Sequence, residues 1–508
     1  MKSDHVGIIK NQSGCYRYRM TRSRILTSLV LTISLISAPF SSAPVQAANV
    51  EDCRISASRN QVVSLGFPIR AERLVGVSKP KILVVPFRLK DTPNFEFTTG
   101  MKNDYLAAGD NISTLSNGLT QIEFIFAPTV STELTNADMD QLKINQREQF
   151  QKDESKSTYG FVRKFIADND ALLDYMGISG VIITGSSTSA FSDIAEAFMF
   201  WKNPDNPWFR PITTSEGPIN NAVLLDNHNT QQTITHEILH MYGLTDLYGS
   251  DTGPGRLSLM ASNELTLLSY EKWVLGWLPN SDVQCLTNLS QTSVTSFNFD
   301  YSKVNQVAVI RAPDNETYIV ETSKSNRRRY IAFYSLNNDG RPPLTFYQER
   351  SQAQSGGVEI EDHTVIGAQL KAPKFTLLVS NLDSSSVSMH LAPTSLVSSN
   401  EFKDLVTKSA EAKSKIVQEN ESKARMAADL KAKQDADAKA AADAKAAADL
   451  KAKQDAEAKA AAELKAQQDA ASKASATKKK ITITCVKGKA TKKVTAVSPK
   501  CPSGFKKK

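Results

Sequence analysis

The residues best equipped for chemistry fall between Thr233 and Tyr248, in the stretch TITHEILHMYGLTDLY. Thr233, Ile234, Ile238 and Leu239 have the spacing of a helix with one buried face. Residues four apart on a helix lie one turn above each other, so His236 and His240 can offer two imidazoles to one metal ion. Glu237, one residue on from His236, projects beside that pair, where a carboxylate can take a proton from water at the metal. A catalytic zinc ion usually keeps three protein ligands. Gly243 follows His240 by three residues, and glycine is the type that can end a helix in a left-handed turn. A chain reversal there would swing Asp246 back toward the metal, giving the pattern H-E-x-x-H-x-x-G-x-x-D. The bland alternative is a core helix with two satisfied histidines and a surface glutamate. Only six histidines occur in 508 residues, which makes chance assembly of this pattern the weaker account. His228, just upstream, is a candidate substrate-side residue or a plain loop histidine, while His363 and His390 have no spaced partners.

Several elements must position these groups. Residues 81–89 (KILVVPFRL) form a nearly continuous apolar run, the pattern of a strand covered on both faces. Gln121 to Phe126 alternates like a strand with one buried face. The apolar spacing from Phe161 to Met176 predicts a helix ended by Gly177. Val181 to Ile183 and Ala222 to Leu225 read as further strands, the latter as an exposed edge able to hold an extended peptide. Strands alternating with helices imply a mixed α/β (α+β) layer structure over residues 81–280. Residues 48–80 are polar and irregular, a lead-in or pro-segment. From 281 to 395, short β-prone runs separated by turn residues predict a small β-sandwich.

Residues 396–476 differ in kind. ADLKAKQDADAKAA begins at Ala428 and returns as ADLKAKQDAEAKAA at Ala448. Asp435/Lys439, Asp455/Lys459 and Asp469/Lys473 place the acid four residues before the base, the favourable helical order. Leu430, Leu450 and Leu464 are too sparse for a persuasive coiled-coil seam, so a solvated helical spacer is expected, with a weak Ala-seamed coiled coil as the alternative. Residues 477–508 read as a small disulfide-closed basic hairpin, either a cationic knob that holds an anionic cell-wall polymer or a lipid surface, or a solubilising tail with no receptor. The formal charge of +8 is concentrated in this tail, and no nucleic-acid partner is expected for the folded part.

Arg17, Arg19, Arg22 and Arg24, an apolar run from Ile25 to about Ile36, and Val45-Gln46-Ala47 make residues 1–47 a cleavable export signal. The apolar run falls well short of the ~20 residues that span a bilayer, so no transmembrane segment is expected after cleavage. Of five cysteines, Cys15 lies in the leader. The other four permit three pairings, of which Cys53–Cys285 and Cys485–Cys501 are the most economical in an oxidising compartment.

HEILHMYGLTDLYG, the later LSLMAS at 257–262 and LLSYEKWVLGWLP at 267–279 resemble the immune inhibitor A family of secreted bacterial metallopeptidases. The resemblance spans about residues 75–325. It implies a metzincin-like catalytic domain with endopeptidase activity on extracellular polypeptides. By position it implies His236, His240 and Asp246 as ligands of Zn2+, Glu237 as general base, and Met260 beneath the site. Thr245 stands where proline is common in that family, and Lys272-Trp273-Val274-Leu275-Gly276-Trp277 carries Val274 as an insertion. Members also hold Ca2+, with Asp251 as the candidate ligand, and Tyr248 is placed to stabilise an oxyanion or simply to pack. Two other readings are a surface-attached adhesion or cell-wall-binding protein with an inactive peptidase-like domain, and a zinc hydrolase acting on other bonds.

Overall fold

The computed structural model describes residues 48–508 apart from short stretches at 58–60, 150–152, 187–193, 203–208, 249–252, 288, 326–327, 338–342, 348–357, 360–364, 384 and 477–478. The export signal expected at 1–47, the calcium candidate Asp251 and His363 lie outside the described residues.

The first layer is built on β1 (Lys81–Arg88), β2 (Glu123–Phe126), β3 (Val130–Ser131), β4 (Ile178–Gly185), β5 (Ala195–Met199) and β8 (Asn221–Asp226), with a separate hairpin of β6 (Ile212–Thr214) and β7 (Gly217–Ile219). The sheet order is β2-β1-β4-β8-β5, with β3 also on β1. All pairs are parallel except β5, which runs antiparallel to β8. The continuous apolar run of β1 follows from burial on both faces. Ile82 and Val84 join one core while Leu83, Val85 and Phe87 join another. Helices α1 (Thr99–Leu115) and α4 (Gln231–Met241) supply the first core through residues such as Ile112 and Ile238. Helices α2 (Asn136–Gln149) and α3 (Thr158–Asp168) supply the second through Met139 and Phe165.

Two expectations need correction. The helix expected to run to Met176 stops at Asp168, because Asn169 caps it with its side-chain amide donating to the Phe165 carbonyl at 2.8 Å. Leu172, within the expected span, is 75% exposed. The Ala222–Leu225 strand is no edge: β8 lies between β4 and β5 with every residue buried. Among the described residues the edge strands of this sheet are β5 on that side and β2 on the other.

Residues 48–80 are woven into both the first layer and the sheet that follows it. Cys53 is bonded to Cys285, the Phe67 ring meets the Trp273 ring edge at 4.5 Å, and Leu74 N–H donates to the Met241 carbonyl at 2.8 Å. Arg73, 4% exposed, donates to Asn221 Oδ1 and the Phe200 carbonyl, both at 2.7 Å.

The sandwich is present. One sheet contains β9 (Val283–Leu286), β11 (Gln306–Arg311), β12 (Thr317–Ser325), β13 (Arg328–Leu336), β14 (Leu344–Phe346) and β15 (Val358–Glu359), and the other β10 (Thr295–Asp300), β16 (Gln369–Lys371), β17 (Phe375–Leu382) and β18 (Ser386–Pro393). Ile310, Val320 and Phe333 face Leu377, Val379 and Met389 between the sheets. The outer face of the first sheet places Val307, Val309, Ile319 and Tyr334 in the same core as α4. The boundary near 280 therefore marks a change of architecture within one continuous core. Helix α5 (Ser269–Val274) bridges the two.

Helix α6 (Asn400–Ala476) seats Phe402 on Leu378 and Ala392, then leaves the body. From Val417 to Lys473 every residue is exposed. At ~1.5 Å per residue that stretch extends about 85 Å. Leu430 and Leu450, each 59% exposed, lie on opposite sides at ~100° per residue, so they form no seam. The tail is a sheet of β19 (Ile481–Lys487), β20 (Ala490–Ala496) and β21 (Lys506–Lys507), closed by Cys485–Cys501. Among the described residues no helix is long and apolar enough to cross a membrane.

Candidate metal centre

Helix α4 starts where Thr230 caps it, the hydroxyl accepting from Thr233 N–H at 3.3 Å. Ile234, Ile238, Leu239 and Met241 turn into the core and leave Glu237 and His240 lining a cleft, with the His236 ring 4.9 Å from that of His240. The helix ends in a Schellman turn, with Gly243 N–H donating to His240 O and Leu244 N–H to Leu239 O. Gly243 has φ +100, and a Cβ there would lie 3.1 Å from Ile69 Cγ2 and 3.3 Å from Arg73 Cγ. Glycine is thus required twice, for the backbone and for the approach of residues 69–73.

The reversal delivers Asp246. Its Oδ1 lies 3.1 Å from both His236 Nε2 and His240 Nε2. The opposite ring nitrogens are committed: His236 Nδ1 donates to Leu259 O at 2.9 Å and His240 Nδ1 to Leu244 O at 2.8 Å. Fixing the Nδ1–H tautomer leaves two Nε2 lone pairs and a carboxylate oxygen converging on one point. Three such acceptors need a cation or a proton between them, and two imidazoles with one carboxylate suit zinc. All three ligand atoms lie within 4.8 Å of one another. Without metal, a proton fills the role. Burial opposes charge on His240, but the Asp246 hydrogen bond and the Glu237 and Asp246 carboxylates outweigh it and raise His240 to about 9. Burial also opposes ionisation of Asp246, yet the two imidazoles hold it well below the usual carboxylate range.

Glu237 is 6% exposed, and burial raises its carboxyl above the ordinary range against the pull of His240 and His236. It lines a cleft of about 380 Å³ with His240, Asp246 and Tyr248. The opposite wall is β5 throughout, with Val62 and Val63 from the N-terminal segment. Among the described residues, no strand covers the outer edge of β5. The Tyr248 ring lies over His236 at 6.2 Å and is 63% exposed; burial of its hydroxyl and the Asp246 charge push it up to about 12.

Met260 is fully buried in the turn after Leu259, and its carbonyl accepts from Leu247 N–H at 2.8 Å. That turn is held from below. Ser258 Oγ accepts from Met260 N–H at 3.0 Å and donates to Glu271 Oε2 at 2.8 Å. Glu271 Oε2 also accepts from Leu268 N–H at 2.8 Å, while Oε1 finds no partner among the described residues. Burial, with the Glu321 charge adding to it, pushes Glu271 up to about 8, so at neutral pH it is largely a protonated acid. Glu321, on β12, accepts the N–H groups of Ser269 and Tyr270 and the Tyr334 hydroxyl. A strand of the sandwich thereby fixes the helix that fixes the turn under His236.

The structure brings together His236, Glu237, His240, Asp246 and Tyr248, with Met260 directly after the carbonyl that orients His236. His228 does not line the cleft; its backbone N–H donates to Asp226 at 2.7 Å. His390 sits on β18, bonded to Ser296. No protein-family model matches this chain, and no curated protein matches it.

Proposed function

We propose that this chain is an exported, zinc-dependent endopeptidase with a metzincin-like catalytic layer. One observation carries the reading: His236 Nε2, His240 Nε2 and Asp246 Oδ1 converge while both Nδ1 atoms are spent on carbonyls. The resemblance of residues 233–279 to immune inhibitor A peptidases points the same way. The edge position of β5 beside the cleft supports a polypeptide substrate, since an extended chain can pair with an edge strand by main-chain hydrogen bonds. Two disulfides suit export to an oxidising compartment.

His236, His240 and Asp246 would hold the ion, which when bound supplies Lewis acidity toward water and the scissile carbonyl. Glu237 takes the proton from the attacking water and returns it to the leaving amine. Its buried, upward-shifted carboxyl suits that shuttle, because proton transfer is most efficient when donor and acceptor affinities approach each other. The walls formed by β5 and Val62–Val63 flank the cleft and would align the chain along it.

The test uses mature protein on unfolded casein, with metal content measured alongside. Glu237→Gln should keep its zinc and lose roughly 100- to 10,000-fold in kcat. Equal cleavage by parent and variant, or a parent that holds no zinc, would overturn the proposal. A zinc-loaded parent that binds casein without cutting it would favour the adhesion reading.

A further inference from the structure

The tail separates charge from the rest of the molecule. Residues 477–508 carry eleven lysines and no acid, so the preceding 476 residues contribute −3 to the chain's +8. The exposed part of α6 extends about 85 Å, many times the ~8 Å screening length at physiological salt. Over that length the tail acts independently of the body's field.

The register of the tail sheet shows where the lysines point. Cys485 on β19 faces Lys492 on β20 and Lys507 on β21, so these side chains share one face. Thr484 faces Lys493, and Val486 faces Thr491 and Lys506, which puts Lys493 and Lys506 on the other face. Lys492, Lys493, Lys506 and Lys507 are all exposed. On each face the outer strands lie two strand spacings apart, about 10 Å. Thr482, Thr484, Thr491 and Thr495 add hydroxyl donors to the Lys493 face. The Cys485–Cys501 bond fixes the display by tying the last loop to the hairpin.

We propose that residues 477–508 bind a linear phosphate polymer, which wraps the knob and meets lysines on both faces. A flat bilayer reaches one face at a time and leaves the other charges unneutralised. Base recognition in nucleic acid draws on aromatic platforms, and the only aromatic residue here is the half-buried Phe505. The absence of arginine from the tail fits point-charge pairing with phosphate rather than forked, bidentate recognition. This inference is independent of the metal centre.

The experiment measures binding of the full mature chain to end-labelled long-chain inorganic polyphosphate. Parallel titrations use equimolar phosphatidylcholine–phosphatidylglycerol vesicles and single-stranded DNA of matched phosphate content. Raising salt fourfold should weaken polyphosphate binding on the order of a hundredfold for about five contacts. Lys492→Gln/Lys507→Gln and Lys493→Gln/Lys506→Gln should each weaken it roughly thirtyfold, and the fourfold variant should show both losses. These exposed substitutions leave the disulfide and the hairpin register in place, and oxidised thiol content checks the fold. Undiminished binding by the fourfold variant overturns the proposal. So does loss from one face alone with vesicles bound more tightly than polyphosphate, or DNA bound more tightly than either.

Discussion

At the scale of single residues, the centre depends as much on two backbone carbonyls as on its side chains. Leu244 and Leu259 take the Nδ1 protons and so decide which nitrogen of each histidine faces Asp246. Asp246→Asn keeps the shape and removes the charge. Zinc affinity, measured by competition with a chromogenic chelator, should fall by more than the 10- to 100-fold typical of losing an outer partner. Retained affinity would remove Asp246 from the ligand set. His236, Glu237, His240, Gly243 and Asp246 were legible because helical spacing and one glycine determine their relative positions. The carbonyl partners were not, since a backbone oxygen leaves no mark on residue type. Glu271 lay inside a segment noted for its resemblance, but nothing local to it shows that Ser258 would come down on it.

At the scale of elements, the turn at Gly243 is the most sensitive joint. Gly243→Ala forces a side chain into positive φ against Ile69 and Arg73, which should cost at least about 1–2 kcal/mol. Thermal unfolding should show that loss, together with weaker zinc uptake as Asp246 drifts. The buried acid on α5 gives a pH signature. Below about pH 4.5 Glu271 is protonated folded or unfolded; between there and about 8 only the unfolded chain ionises, so stability falls as pH rises. The full effect is about 5 kcal/mol, from the shift at 1.36 kcal/mol per pH unit. Glu271→Gln should flatten the parent's decline across that window in denaturant titrations, and an unchanged slope would show that the acid is not the cause. Strand order was the least legible feature. The apolar run at Ala222–Leu225 was read as an edge, yet residues buried on both faces belong inside a sheet. The edge strand beside the cleft, AEAFM, carries a glutamate and two alanines, and it escaped notice because edge strands need little β propensity.

For the whole molecule, the sequence reads 81–280 and 281–395 as different in pattern, and one core joins them. Periodicity reports which face of an element is buried, never against what, so the packing of Val307 and Tyr334 beside α4 was invisible. The same holds for residues 48–80, whose irregular sequence is anchored by Cys53, Phe67 and Arg73. Cys53–Cys285 closes a span of 232 residues, and its replacement by two serines should cost about 5 kcal/mol on the chain-entropy account. Calorimetry of the double variant checks this, with a shift no larger than that of Cys485→Ser/Cys501→Ser counting against it. From Val417 to Lys473 every residue of α6 is exposed, so the helix there rests mainly on its own hydrogen bonds. A single cut anywhere along that lysine-rich rod breaks neither disulfide and opens neither sandwich nor cleft. The chain can therefore be severed into two pieces that each keep their own disulfide, so a passing protease would part the cleft-bearing body from the basic knob.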